Sequence, residues 1–348
     1  MGKLVAYSGL TTKIRAMKSN LISDAQFEEI AGLNSIPELI SYLERFPAYS
    51  ELFKDADASK VHRGELEWRL NFSTYYDYTK LYSFAKNEQR RFMELYFTKF
   101  EIFSLKRYIR NILDIREENR LPYTANHFEL HSNLKTEKLA SSADMEEFVE
   151  HLKGTIYYAP LIKVNALQKP ILFDYELALD QFYFSYVWEQ KDNLFKDDEL
   201  KHITNSVGSK IDLLNIMWAF RCKTYYNLTN AQIYSYLIPI YYRLTPADIK
   251  TMVETKDMKV FFSVFKSTDY AKKLAKNKIK RIDEMYNYAM MRMHMDDFKN
   301  NPYSLAAIDA YFYLKELEVS RITTAAECIR YGYPAAKTYD YIMGKGIS

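Results

Sequence analysis

Hydrophobic residues recur along this chain at intervals of three and four positions, the spacing of one face of an α-helix. Ile36, Leu39, Ile40, Leu43 and Phe46 follow the i, i+3, i+4, i+7 pattern. A longer stretch keeps a similar face at Leu81, Phe84, Phe92, Leu95, Tyr96, Phe100 and Phe103. The dipeptides Asn-Gly, Asp-Gly and Gly-Gly, which form hairpin turns most readily, do not occur in the sequence. The pattern therefore predicts an all-α fold.

The same hydrophobic pattern occurs three times. It is displaced by 109 positions from Ile36 to Met145 and by 222 positions from Ile36 to Met258. The copies are Ile36, Leu39, Ile40, Leu43, Tyr49, Leu52; then Met145, Phe148, Val149, Leu152, Tyr158, Leu161; and, more faintly, Met258, Phe261, Phe262, Phe265, Leu274. Duplication multiplies a packing unit rather than a pocket, which favours an architectural body over a single-site enzyme.

A second repeated block carries one acidic residue in an apolar segment. Residues 99–105 (KFEIFSL) align with 210–216 (KIDLLNI), a shift of 111 that pairs Glu101 with Asp212. The best match in the third copy is 317–319 (LEV). We therefore predict three pseudo-repeated helical units of about 110 residues. Their ranges are 1–116, 117–228 and 229–348, with boundaries near Glu117–Pro122 and Asn227–Thr229.

The helix starts also fall in register. Ser35 precedes the first copy, and Glu38 follows it by three residues, which is the capping-box spacing. The second copy repeats this device with Asp144 and Glu147, and the third begins after Asp257. We predict that these residues cap three equivalent helices.

Glu101 and Asp212 each precede an arginine by nine residues, at Arg110 and Arg221. Nine residues correspond to roughly 900° of helical rotation, so each arginine faces away from its acid. A buried carboxylate without a partner is strongly unfavourable. Each acid must then meet water, a cation from another helix or a partner protein. We favour pairing between helices, and the alternative is that the acids line a socket for a partner.

Composition and charge exclude several classes of protein. The 348 residues are 48% hydrophobic, enough for one large helical body or for two or three domains. A net charge of +3 disfavours a nucleic-acid partner. Cys222 and Cys328 lie in apolar patterns and are predicted to be reduced, buried thiols. The N-terminal residues lack the apolar run that is typical of a signal peptide. The most apolar stretch, 233–242, is about half the roughly 20 residues that a membrane span needs, so we expect the chain not to cross a membrane.

The histidines provide the few candidates for chemistry. The phosphate-binding loop, G-x-G-x-x-G and G-x-S-x-G are absent from the sequence. His127 and His131 are spaced for one helical face, but Phe128 stands where a metalloprotease needs Glu, so we expect two surface histidines. His294 lies near Asp296 and Asp297, and we expect this cluster on a solvated helix end. An unrecognised enzymatic pocket there is the alternative.

One basic cluster stands out between positions 272 and 281. Its members are Lys272, Lys273, Lys276, Lys278, Lys280 and Arg281. The cluster predicts a helix with a solvated charged face, and the alternative is contact with an acidic protein surface or with lipid headgroups.

The repeated blocks resemble the C subunit of the bacterial and archaeal V-type (A-type) rotary ATPases, the counterpart of the d subunit in the eukaryotic enzyme. The segments that carry the resemblance are 7–17 (YSGLTTKIRAM), 99–110, 210–215 with Arg221, and 301–302 through 315–319 (KELEV). They span the whole chain, and the match is one of pattern and order. The resemblance implies a funnel of three related helical units between the central shaft of the soluble ATPase and the membrane proteolipid ring.

The resemblance also implies a function. The chain would be a non-catalytic central-stalk or rotor subunit, one copy per complex, that couples the shaft to the ring for proton or sodium transport. It would be peripheral, at the cytoplasmic face of the membrane. No catalytic, cofactor-binding or metal-binding residue, no cofactor and no nucleic-acid partner is implied.

Three alternatives remain open from the residues alone. The first is an independent helical-repeat scaffold that binds other proteins. The second is an enzyme with a pocket around His294. The third is a peripheral lipid-binding protein that uses the 272–281 face, whose vesicle binding would fall with salt.

Overall fold

The computed structural model describes residues 3–113, 131–274 and 282–344. Within these ranges the chain forms α-helices and no β-strand, which confirms the all-α prediction. The helices are α1 (Lys3–Lys18), α2 (Asp24–Ala31), α3 (Ile36–Leu43), α4 (Ser50–Phe53), α5 (Arg63–Tyr82), α6 (Glu88–Leu113), α7 (Thr136–Ala140), α8 (Met145–His151), α9 (Tyr158–Asn165), α10 (Leu172–Leu194), α11 (Asp197–Thr224), α12 (Asn230–Tyr236), α13 (Pro246–Glu254), α14 (Met258–Ser267), α15 (Asp269–Leu274), α16 (Ile282–Asn300), α17 (Leu305–Arg330) and α18 (Ala335–Ile342).

The predicted caps begin the helices α3, α8 and α14. The side chains of Ser35 and Asp144 accept backbone N–H bonds from Glu38 and Glu147, at 3.3 and 2.9 Å. Asp257 accepts the N–H two residues further on, at 2.8 Å. These bonds confirm the cap predictions. Caps can be predicted from sequence because donor and acceptor are close together in the chain.

Six long helices contact one another in a closed ring. The order around the ring is α5, α6, α10, α11, α16 and α17, and α17 contacts α5 again. Short turns join them in pairs at residues 83–87, 195–196 and 301–304. Asn87 and Asp197 take positive φ angles of 45° and 49° at two of these turns, a conformation that Asn and Asp tolerate better than most residues. We call this side of the molecule the turn end.

Three groups of short helices pack against the ring, each with its own hydrophobic cluster. We call α2–α4 the first group, α7–α9 the second and α12–α15 the third. The second group packs against α6 and α10, and the third against α11 and α16. The first group packs against α17, for example at Val319 and Ile322, although almost the whole chain separates them. The N-terminal and C-terminal parts of the chain thus complete the ring together.

Helix α1 contacts the long helices next to all three turns. Tyr7 Oη donates to Glu199 Oε1 at 3.0 Å, and Thr11 Oγ1 donates to the carbonyl of Pro302 at 2.7 Å. The Gln89 side chain donates to the carbonyl of Ala6 at 3.0 Å. Helix α1 therefore ties the three turns to one another. None of the helices in the described ranges has both the length and the apolar character that crossing a bilayer requires.

Several smaller predictions can be compared with the structure. Cys222 and Cys328 are buried free thiols, as expected. His131 is half-buried, with its ring 4.6 Å from that of Tyr82, so the prediction of a surface histidine was wrong for this residue. Aromatic neighbours from α5 and α6 enclose it. His127 lies outside the described residues.

The predicted boundaries and the basic cluster are only partly described. The second predicted boundary falls in the connection between α11 and α12, and the first lies outside the described residues. Lys272 is exposed and pairs with Asp269 at 3.3 Å. The side chains of the other members of the cluster are not among those described. The division into three units stays a prediction.

Candidate functional site

Three acidic residues occupy equivalent positions on α6, α11 and α17, and each accepts a hydrogen bond from a tyrosine of a short-helix group. Tyr157 donates to Glu101 at 2.5 Å, Tyr270 to Asp212 at 2.8 Å, and Tyr49 to Glu318 at 2.5 Å. Each bond joins one long helix to the short-helix group packed against it. We call these contacts the three tyrosine–carboxylate clamps.

Asp212 is fully buried and has four hydrogen-bond donors. Besides Tyr270, the backbone N–H groups of Tyr242, Arg243 and Leu244 donate to its carboxylate at 3.2, 2.7 and 3.1 Å. Burial raises the pKa of Asp212, and these donors oppose that rise because they favour the charged form. The carboxylate therefore holds the chain segment that leads into α13.

Gly208, one turn before Asp212, explains how that segment can approach α11. A Cβ atom at Gly208 would lie 2.5 Å from Cγ of Tyr242, well inside van der Waals contact. Glycine in the middle of a helix costs about 1 kcal/mol relative to alanine. The close approach of the tyrosine ring is the reason that this cost is tolerated.

The clamp at Glu318 includes a buried lysine. The Glu318 carboxylate accepts bonds from Tyr49, from Lys315 Nζ at 2.7 Å and from the backbone N–H of Ile22 at 2.5 Å. Lys315 is also fully buried and donates to Tyr49 Oη at 2.9 Å. Burial, followed by Glu318, raises the pKa of Tyr49 well above its usual value, so the phenol stays a donor. This clamp joins the N-terminal and C-terminal parts of the chain, because it holds the first short-helix group to α17.

Glu101 accepts one bond from Ser132 Oγ at 2.5 Å and one from Tyr157. Burial raises the pKa of Glu101, and these two hydroxyl donors oppose the rise. Arg110 faces away, as expected, and pairs with Glu176 of α10 at 2.6 Å. Glu101 and Asp212 are therefore paired within the fold, as we favoured, but the hydrogen bonds come from hydroxyl and backbone N–H groups and not from a cation of another helix.

Removing one hydroxyl group tests the clamp between Tyr157 and Glu101. We expect Tyr157→Phe to lower the free energy of unfolding by about 2 kcal/mol, because a buried carboxylate loses a charge-assisted hydrogen bond. Urea denaturation measures this. The neighbouring Tyr158→Phe is the matched control and should change stability by less than about 0.5 kcal/mol. Equal effects of the two variants would contradict a clamp at Tyr157.

Helices α6, α11 and α17 also line one internal cavity at equivalent positions. Nine of the lining residues fall into three sets: Phe92, Ile203 and Asp309; Tyr96, Val207 and Tyr313; and Lys99, Lys210 and Glu316. Helices α10 and α16 complete the lining, for example with Val187 and His294. The same two shifts relate the members of every set. Along α6 and α17, Tyr96 contacts Phe312 and Lys99 contacts Glu316, so these two helices run parallel past the cavity. Its volume is about 50 Å³, enough space for water molecules.

The set of Lys99, Lys210 and Glu316 contains an ion pair. Lys99 Nζ lies 2.6 Å from Glu316 Oε1, and the hydroxyl of Tyr96 donates to the same oxygen. Burial raises the pKa of Glu316, but the nearby Lys99 and Lys210 outweigh it, so the pKa is lowered and the carboxylate stays charged. This pair links α6 to α17 inside the ring.

A second set of charges links three helices near the turn end. His202 of α11 lies between two carboxylates, with Nδ1 3.3 Å from Asp297 Oδ2 and Nε2 3.4 Å from Asp309 Oδ2. Burial lowers the pKa of His202, but Asp297 of α16 and Asp309 of α17 outweigh burial and raise it to about 9. The imidazole is therefore charged at neutral pH and attracts both neighbouring helices.

His294 is buried, so the prediction that it lies on a solvated helix end was wrong. Its ring stacks on Tyr313 at 4.2 Å, and its Nδ1 lies 3.7 Å from Asp309. Helix α16 packs against α17 here, which turns His294 inward. Asp296 instead pairs with Arg292 on the surface, at 3.5 Å. Burial lowers the pKa of His294.

Several charged residues at the cavity pair with an opposite charge on another helix, which suits them to holding helices together. Among the described residues, no group of three or more His, Cys, Asp and Glu side chains is arranged to hold a metal ion. The geometry therefore defines a class of protein, an all-α body whose repeated polar residues fasten helices to one another.

The family follows from comparison with known proteins. Residues 10–341 match the ATP synthase (C/AC39) subunit family, and the chain belongs to that family. This confirms the resemblance inferred from the repeated blocks.

Three relatives carry the name of the C subunit of an A-type ATP synthase. The chain is 23% identical to the protein of Methanosphaera stadtmanae, over 93% of this chain and 84% of the relative. Identity is 24% with the protein of Thermococcus kodakarensis, over 94% of this chain and 87% of the relative. It is also 24% with that of Pyrococcus abyssi, over 98% and 91%.

Sequence reasoning missed several of these polar residues. Extending the third aligned copy back by one position would have paired Glu316 with Lys99 and Lys210, and the change from lysine to glutamate would have indicated an ion pair. The repeat also aligned Tyr49 with Tyr158, whereas Tyr157 carries the clamp. Nothing in the sequence singles out His202, since its two partners lie on α16 and α17.

Proposed function

We propose that this chain is a non-catalytic central-stalk subunit of an A-type ATPase. It couples the central shaft of the soluble sector to the membrane proteolipid ring for proton or sodium transport. One copy serves each complex, peripheral to the membrane at its cytoplasmic face. Membership of the ATP synthase (C/AC39) subunit family over residues 10–341 is the observation that carries the proposal.

The architecture supports this role physically. A rotor coupling has to transmit torque without bending, and close-packed helices transmit strain. The six long helices contact one another in a closed ring, and the clamps fasten a short-helix group to the outside at three equivalent positions. We infer three related units, near 1–116, 117–228 and 229–348, in a funnel whose inner wall includes α6, α11 and α17.

Reconstitution tests the proposal. The purified chain is mixed with the central-shaft subcomplex and with the solubilised proteolipid ring, and native mass spectra are recorded. We expect a complex in which one copy joins shaft and ring. Heat-denatured chain is the control and should join neither partner.

Failure to bind either partner, with a folded helical protein by circular dichroism, would contradict the coupling role. It would favour the independent helical-repeat scaffold.

A further inference from the structure

The central cavity adjoins a groove that is rich in lysine. The groove has a volume of about 400 Å³ and lies between α5, α6, α10, α11 and α17. Its charged side chains are Lys99, Lys106, Lys210, Asp180 and Glu316. Three cations therefore face two carboxylates. The volume lies in the range of small-ligand sites, roughly 300–1,000 Å³.

Both carboxylates of the groove are already paired. Lys99 lies 2.6 Å from Glu316, and Lys106 lies 2.6 Å from Asp180. Lys210 is the third cation; it is half-buried and lines both the groove and the cavity, and Glu316 is attracted to both Lys99 and Lys210. A partly buried cation that has to share its counter-ion is poorly compensated.

The surroundings of Lys210 do not remove this deficit. Its pKa is lowered to about 8, first by burial and then by Lys99, although Glu316 and Asp309 attract it. Asp309 is itself engaged by His202 and by Ser206, which donates to it at 2.6 Å. On α16, His294 also faces the cavity, and it has no negative charge to offer.

We propose that the groove binds an oxyanion, a carboxylate or phosphate group, in contact with the ammonium groups of Lys210 and its lysine neighbours. A bound anion supplies the negative charge that Lys210 lacks in the free protein. Asn71 and Thr74 of α5 line the same groove and can donate to its oxygens. The oxyanion comes either from a free small molecule or from an acidic side chain of a docked protein segment. This site is independent of the coupling role.

Thermal denaturation of the full chain tests the site. The probes are sodium phosphate, sodium acetate and a hexaglutamate peptide, each compared with sodium chloride at the same ionic strength. We expect a saturable rise in Tm with at least one probe. A response to phosphate or acetate indicates a free anion, and a response to the peptide alone indicates an acidic protein segment.

Lys210→Gln should raise the Kd of the responding probe by roughly tenfold or more, the effect of losing one charge-assisted hydrogen bond. Lys201→Gln is the matched control, since Lys201 is an exposed lysine of the same helix, and it should leave Kd unchanged. If no probe raises Tm beyond chloride, or if Lys210→Gln responds like the wild type, the proposal is wrong.

A second measurement does not depend on the variant folding. In the wild-type protein, ¹⁵N NMR of the lysine side chains should show the pKa of Lys210 rising when the responding probe is added. An unchanged Lys210 pKa at a saturating probe concentration would overturn the site.

Discussion

Replacing Asp212 by alanine should lower the free energy of unfolding by about 3–5 kcal/mol, the cost of breaking a buried charged network. Asp212 is fully buried and accepts four hydrogen bonds. Alanine would leave three backbone N–H groups and the hydroxyl of Tyr270 without their acceptor. Urea denaturation followed by circular dichroism measures the change.

The control for this variant is Asp296→Ala, at an exposed aspartate that pairs with Arg292 within its own helix. It should change stability by less than about 0.5 kcal/mol. If Asp212→Ala keeps wild-type stability but weakens binding to the shaft subcomplex, the acid serves a partner and not the fold. If neither property changes, both interpretations of Asp212 are wrong.

Raising the pH should weaken the protein through His202. Its pKa in the folded protein is about 9, above the ordinary histidine value of 6.5. A group with a raised folded pKa stabilises the fold fully below its unfolded pKa, and this contribution disappears as the pH rises through the folded pKa. The window is therefore pH 6.5 to 9, and the loss is roughly 3 kcal/mol at about 1.4 kcal/mol per pKa unit.

Other groups that face the same cavity titrate in a similar pH range. The test therefore compares the unfolding free energy of the wild type with that of a variant that lacks His202. Lys210 has a lowered pKa and contributes with the opposite sign, because the fold favours its neutral form. Unfolding free energies of wild type and His202→Gln are measured at pH 6, 7.5 and 9.5, and their difference should shrink toward pH 9.5. A difference that stays constant over these pH values would contradict the charged histidine.

Features that depend on near neighbours were predicted from the sequence, and features that depend on distant ones were not. The caps at Ser35, Asp144 and Asp257 were predicted because donor and acceptor lie within three residues. The repeat identified Glu101 and Asp212 as equivalent acids. It could not identify their partners, because the 109-residue shift does not indicate which long helix a short-helix group contacts.

The histidines of the candidate site also could not be placed from the sequence. His294 and Asp297 were both noticed, but their neighbourhood in the chain suggested a solvated cluster. The structure turns both toward the interior, where Asp297 faces His202 and His294 stacks on Tyr313. The position of a histidine near the end of a helix gives no indication of which face packs inward.

The clamp between Glu318 and the first short-helix group has a consequence for biosynthesis. The backbone N–H of Ile22 and its acceptor are 296 positions apart. At a translation rate of about 5–20 residues per second, roughly 15–60 s pass between their synthesis. During that time, Leu66 and Leu70 of α5 are available to pack against the first short-helix group, but Val319 and Ile322 of α17 are not. A ribosome that stalls before α17 therefore releases a chain in which the apolar surface that α17 covers is exposed.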